Sequence, residues 1–321
     1  MKNHNIITIL GPTATGKTHL AVLLASQLQG EIISADSRQV YRGMDIGTGK
    51  DISEYLVDGR EIKHHLVDIA EPGTEFNVYA FQEGFLKAYR DIKTRGKMPV
   101  LCGGTGLYLE SVLLGYKMKQ VPENENLRIS LEGKSLDELI LILQSYGSLH
   151  NTTDTTDRER CIHAIEIRQF EKDNPVEPEF PKLNSPLARA CSACPEIPKL
   201  NSLNIGISLD RQEVRDRITR RLKERLENGM IEEVKGLLDS GLKPDQLRFY
   251  GLEYRYVTDY ITGRISYQEL FTYLNIAIHQ YSKRQMTWFR RMEKKGIEIH
   301  WIDGLLPDEE KLEMCLVWIN E

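Results

Sequence analysis

The run Gly11-Pro12-Thr13-Ala14-Thr15-Gly16-Lys17-Thr18 follows the apolar stretch Ile6-Ile7-Thr8-Ile9-Leu10 and precedes His19-Leu20-Ala21-Val22-Leu23-Leu24. A strand must therefore end in a glycine-hinged loop that opens at once into a helix. The octet fits G-x-x-x-x-G-K-[ST], a phosphate cradle: backbone N–H groups and the positive helix end turn toward an anion. Lys17 adds a mobile point charge, and the Thr18 hydroxyl is placed to ligate Mg²⁺. The motif leaves open which phosphate ester it holds.

Such a loop constrains the rest of the chain. Glu31-Ile32-Ile33-Ser34 reads as a second strand, and Met98-Pro99-Val100-Leu101-Cys102 as another that runs into Gly103-Gly104. Strands alternating with helices predict an α/β class, a P-loop NTPase-like parallel-sheet core flanked by helices, with its site at the carboxyl ends of the strands. Residues 1–116 form the first part of this core. From 117 to 203 the texture becomes helical (Leu136, Leu139, Ile140, Leu143) and then rich in Pro, Asn and Ser, so a mostly α-helical insertion with a long loop from Asn174 to Ser202 is expected. Residues 204–321 return to the core: a strand at Leu203–Ile207, long helices over Arg211–Asp239 and Tyr267–Lys295, a last strand at Ile297–Trp301 and a closing helix over Pro307–Ile319.

Bulk properties exclude several classes. The 321 residues suffice for a sizeable core, and no apolar run approaches membrane-spanning length. The polar start Lys2-Asn3-His4-Asn5 is unlike a signal peptide, so a cytoplasmic protein that touches no membrane is expected. Five cysteines form no disulfide framework, and Cys191-x-x-Cys194 is half a metal site without a partner pair. A net charge of −5 argues against a wholly basic surface, yet two stretches are locally cationic: Arg211 to Arg225, and Lys283-Arg284 through Lys294-Lys295.

Asp36, in Asp36-Ser37-Arg38-Gln39-Val40-Tyr41, stands beyond the second strand and faces the same crevice as the cradle. Its position suits either a general base or a carboxylate that orders the turn. No acid follows Val100-Leu101-Cys102, where motor ATPases and GTPases place a magnesium-binding Asp, and this favours group transfer over hydrolysis. Arg284, Trp288, Arg291 and Lys295 share one helix face, an arrangement suited to RNA phosphates and a stacked base, or to a buried indole with a basic rim.

Together, Gly11–Thr18, Ala35-Asp36-Ser37-Arg38-Gln39-Val40-Tyr41-Arg42-Gly43-Met44-Asp45-Ile46-Gly47-Thr48, His64-His65-Leu66-Val67-Asp68, Gly103-Gly104-Thr105-Gly106-Leu107-Tyr108 and Lys283-Arg284-Gln285-Met286-Thr287-Trp288-Phe289-Arg290 resemble the tRNA dimethylallyltransferase (tRNA isopentenyltransferase) family, in order and over nearly the whole chain. The resemblance implies transfer of a dimethylallyl group from dimethylallyl diphosphate to N6 of adenosine 37, beside the anticodon of tRNAs reading codons that begin with U. It implies Mg²⁺, a diphosphate bound by Thr13–Thr18 and Arg217, Asp36 as general base, and Thr105 near diphosphate and base. Asp36, Ser37, Arg38, Gln39, Arg128, Glu159, Arg160, Cys161, Ile162 and His163 match positions that contact tRNA. The chain departs from the family at His163, where relatives carry Arg, at Gly49-Lys50-Asp51, and at Glu171-Lys172-Asp173-Asn174-Pro175; the appended zinc finger of eukaryotic relatives is missing. A monomer that engages the anticodon stem-loop is expected. The rivals are a small-molecule P-loop kinase, an isopentenyltransferase acting on free adenine nucleotide, and an RNA-binding protein with a vestigial loop.

Overall fold

A computed structural model describes residues 4–116, 121–147, 155, 158–174 and 197–321. Cys191, Cys194 and most of the expected Pro-rich loop lie outside these. The chain divides into two compact units, Met1–Lys117 with Pro195–Glu321, and Met118–Cys194.

The first unit begins with β1 (Ile6–Leu10), α1 (Lys17–Gln27) and β2 (Glu31–Ser34), followed by the short β3 (Leu56–Val57), β4 (Arg60–Glu61) and β5 (His64–His65), then α2 (Val78–Thr94), β6 (Pro99–Gly103) and α3 (Gly106–Leu113). The second unit holds α4 (Glu125–Leu131), α5 (Leu136–Ser145) and α6 (Arg158–Asp173). The first resumes with β7 (Ser202–Ser208), α7 (Arg211–Glu227), α8 (Met230–Asp239), α9 (Pro244–Phe249), α10 (Leu252–Ile261), α11 (Tyr267–Lys294), β8 (His300–Asp303) and α12 (Asp308–Asn320).

Among the described residues six strands form one sheet, in the order β5-β2-β6-β1-β7-β8, with every pairing parallel. Strands buried on both faces read as unbroken apolar runs, and β1 is an example, with all five residues buried. One face packs Phe81, Phe85 and Ile92 of α2 with Phe289 and Met292 of α11; the other packs Leu20 and Leu24 of α1 with Cys315 of α12. A third cluster joins α7, α8, α10 and α11 around Leu222, Met230, Tyr254 and Leu274.

The expected helix over Arg211–Asp239 is two helices. Gly229 takes φ +101° and starts α8 as its N-cap, so the chain breaks at Asn228-Gly229, a pair able to adopt the left-handed turn. α9 and α10 fill a stretch to which the sequence reading assigned no element. No helix of the described residues is long and apolar enough to cross a membrane.

Candidate active site

The sheet order places the tip of β6 between those of β1 and β2, so three loops meet at one edge. The first is the cradle. Ala14 and Gly16 have φ of +65° and +85°, and the Thr15 hydroxyl donates to the Pro12 carbonyl at 2.9 Å, which curls the backbone ahead of α1. Gly16 caps α1 without a side-chain hydrogen bond, leaving its first amides to an outside acceptor.

The second loop carries Asp36, whose Oδ1 accepts from the Arg38 amide at 2.9 Å. That is an Asx turn, so the carboxylate orders its own loop while its other oxygen remains for chemistry. The third loop carries Thr105, whose hydroxyl accepts from the Ser37 amide at 3.1 Å and whose amide donates to the Ala35 carbonyl at 3.2 Å. Asp36 is thus pinned on both sides.

These loops enclose a cleft lined by Thr13, Ala14, Gly16, Lys17, Thr18, Asp36, Gln39, Thr48, Gly49, Glu54 and Arg221. Desolvation lowers the Lys17 pKa, an effect only partly opposed by Cys102 and Asp36. Desolvation also lowers Arg221, with Arg225 adding to the effect, to about 10. Two cations whose charged forms burial disfavours, beside a loop of free helix-start amides, suit a negatively charged ligand.

Arg221 is the residue the sequence reading passed over. Its Nη2 donates to the Thr13 hydroxyl at 2.5 Å, whereas Arg217, one turn earlier, is bonded through Nε to Glu213 at 2.5 Å and does not line the cleft. Both flank the apolar stripe Ile218-Leu222-Leu226, and only the packing of α7 selects between them.

Other expected site residues fall elsewhere. In the second unit Cys161 and Ile162 are buried with Leu131, Leu139 and Ile165, so their side chains are core and not an RNA-facing surface. Arg128 forks onto the buried Glu166 at 2.8 and 2.9 Å, with Glu159 at 3.5 Å, and His163 Nδ1 lies 3.4 Å from the same Glu166. Arg160 and Glu159 stay on the exposed side of α6. On α11 the shared face is mostly spoken for: Lys295 bonds the buried Glu110, Arg291 stands 3.7 Å from it, and the Arg291 guanidinium lies 5.0 Å above the Trp288 ring. The indole packs on Gly106, where a Cβ would approach to 2.3 Å, and its Nε1 is buried without a hydrogen-bond partner. Trp288 is half-buried with Arg291 over its ring, while Arg284 and Lys283 remain exposed. His65 bonds Glu31 at 2.8 Å and His64 packs at a tilt of 38° against the Tyr55 ring, both structural uses.

No group of three or more His, Cys, Asp or Glu among the described residues is arranged to hold a metal. A lone threonine at the cradle suits Mg²⁺, which keeps its waters and takes most of its ligands from substrate phosphates.

A family model described as IPP transferase matches residues 39–292, and one described as isopentenyl transferase matches residues 4–65. A Bacteroides fragilis protein named tRNA dimethylallyltransferase 2 is 54% identical over 321 residues, covering 100% of both chains. A Parabacteroides distasonis protein named tRNA dimethylallyltransferase 1 is 52% identical over 320 residues, covering 100% of this chain and 99% of its own. The crystal structure of a tRNA isopentenylpyrophosphate transferase from Bacillus halodurans is 30% identical with a TM-score of 0.69, over 99% of this chain and 96% of that one. A eukaryotic dimethylallyltransferase shares the fold, with a TM-score of 0.70 at 21% identity, over 93% of this chain and 73% of that one.

Sheet order, cradle and matches together define a P-loop prenyltransferase. The chain belongs to the IPP transferase family.

Proposed function

We propose that this protein transfers the dimethylallyl group of dimethylallyl diphosphate to N6 of adenosine 37 in tRNAs reading codons that begin with U, releasing diphosphate and leaving N6-(dimethylallyl)adenosine. The observation that carries the reading is that Lys17, Thr18, Arg221 and Asp36 line one cleft. The breaking allylic C–O bond sheds negative charge onto the diphosphate, which the cradle amides, Lys17 and Arg221 are placed to receive. At the other end Asp36 accepts the N6 proton as the amine bonds to the allylic carbon. Bound Mg²⁺, held by the Thr18 hydroxyl and diphosphate oxygens, would supply further positive charge to the leaving group.

A stacked adenine cannot reach Asp36, so the target base is flipped out of its stack. Ser37, Arg38, Gln39 and Thr105 surround its entry, and Arg284 with Lys283 offers cations to the RNA backbone. The protein acts in the cytoplasm on the anticodon stem-loop, as a monomer.

The test is to incubate the protein with labelled dimethylallyl diphosphate, Mg²⁺ and unmodified tRNA bearing A36-A37-A38. Label in the RNA at A37 is expected. In parallel reactions, label entering AMP supplied as acceptor would assign the chemistry to a nucleotide, and turnover of ATP supplied with a small alcohol would assign the cleft to a kinase.

A further inference from the structure

Gln285 of α11 is 6% exposed and uses both ends of its amide. Oε1 accepts from the Thr13 amide at 2.9 Å, and Nε2 donates to the Gly104 carbonyl at 2.9 Å. Both partners are loop backbone beyond the tips of adjacent strands, β1 and β6. The fit is close: a Cβ on Gly104 would stand 2.4 Å from Nε2, so the amide lies directly against the glycine.

The next residue, Thr105, accepts from the Ser37 amide and donates its own amide to Ala35, the two neighbours of Asp36. Hydrogen bonds and single covalent links therefore run without a gap from the cradle through Gln285, Gly104 and Thr105 to Asp36. Among the described residues no backbone–backbone hydrogen bond joins Thr13 to Gly104. The Gln285 amide carries a donor and an acceptor on one planar group, so it satisfies an N–H on one loop and a C=O on the other at once.

We propose that Gln285 is a positioning residue for the transfer reaction inferred above, fixing the span between the phosphate cradle and Asp36 without touching substrate. Misplacement by about 1 Å at a reacting centre costs on the order of a hundredfold in rate, so a clip between the two halves of the site acts on kcat.

Two variants test it, each purified as the full chain. Gln285→Met keeps the volume and removes both hydrogen bonds; it should lower kcat by roughly ten- to a hundredfold while leaving the KM for RNA unchanged. Gln285→Glu keeps the acceptor for Thr13 but, once ionised, turns a second acceptor on the Gly104 carbonyl. Burial raises such a carboxyl's pKa while the Lys17 side chain, also packed beside Gly104, lowers it, and protonation restores the donor in acid. At temperatures where circular dichroism shows Gln285→Glu fully folded at every pH, its ratio to parental turnover should climb as pH falls, which loss of folded protein would not produce and which remains readable if Gln285→Met does not fold. Parental turnover in both variants, or a pH-flat ratio for Gln285→Glu, overturns the positioning role alone. A parent protein that leaves RNA unprenylated removes the reaction and the role together.

Discussion

The Ser37 amide donates to the Thr105 hydroxyl at 3.1 Å, which ties the loop beyond β2 to the loop beyond β6 immediately beside Asp36. Thr105→Val keeps the shape and removes the acceptor, leaving the amide unsatisfied. Turnover should drop about tenfold or more and return in Thr105→Ser, measured as single-turnover prenylation of a stem-loop RNA.

Asp36→Asn preserves an acceptor for the Arg38 amide and removes the carboxylate proposed as the base. A loss of at least about a hundredfold in kcat is expected, the scale of a positioned general base, with RNA affinity unchanged in a filter-binding titration. Retained turnover would take Asp36 out of the chemistry.

Desolvation lowers the Lys17 pKa below its ordinary value. The folded protein therefore disfavours the ammonium, and this penalty is present in full below the lowered pKa and fades as pH rises toward the unfolded value. Lys17→Met should melt at or above the parent temperature near neutral pH, with the gap closing in alkaline buffer, and should be inactive. Inorganic diphosphate should raise the melting temperature of the parent but not of the variant, by the usual linkage of ligand to the native state.

Glu233 of α8 accepts from the amides of Asp45, Ile46 and Gly47 at 2.9, 2.7 and 3.0 Å and from the Tyr254 hydroxyl at 2.6 Å. It anchors the loop that brings Thr48 and Gly49 to the cleft. Glu233→Ala should cost about 1–3 kcal/mol in urea unfolding and raise the KM for dimethylallyl diphosphate more than it lowers kcat.

Burial alone would raise the Glu166 carboxyl, but hydrogen bonds from Arg128 and the Asn124 amide outweigh it and hold the pKa below the ordinary value. Its stabilisation is complete above the unfolded carboxylate pKa and is lost as pH falls through the lowered one. Arg128→Met should destabilise the protein by about 3 kcal/mol or more, and the deficit should shrink in acid when followed by thermal melts at pH 7 and pH 4.

What the sequence disclosed follows from the range of each interaction. The cradle, Asp36 and the returning strand are local patterns, written in a few adjacent residues. Gly229 was legible too, since Asn-Gly inside a helical period marks a stop. Cys161, Ile162 and Ile165 share an apolar helix face, a signal of burial that the family match overrode. Arg221 over Arg217 was not legible, because both border the same apolar stripe and the choice depends on how α7 is rotated against the loop. Nor was the role of Arg291 and Lys295, whose partner Glu110 is buried about 180 positions away in the chain. Gln285 lay inside a recognised motif, but its two partners are backbone atoms that no residue pattern encodes.

Because β6 separates β1 from β2, the strand bearing the cradle and the strand bearing the carboxylate are two inter-strand spacings apart, about 9.5 Å. That interval between the strands belongs to main-chain pairing, and what side chains such as Gln285 and Thr105 hold is the loops beyond the strand tips. The sheet works as a ruler: the backbone cuts the spacing of the strands, and the loops at their tips are jaws that evolution can alter.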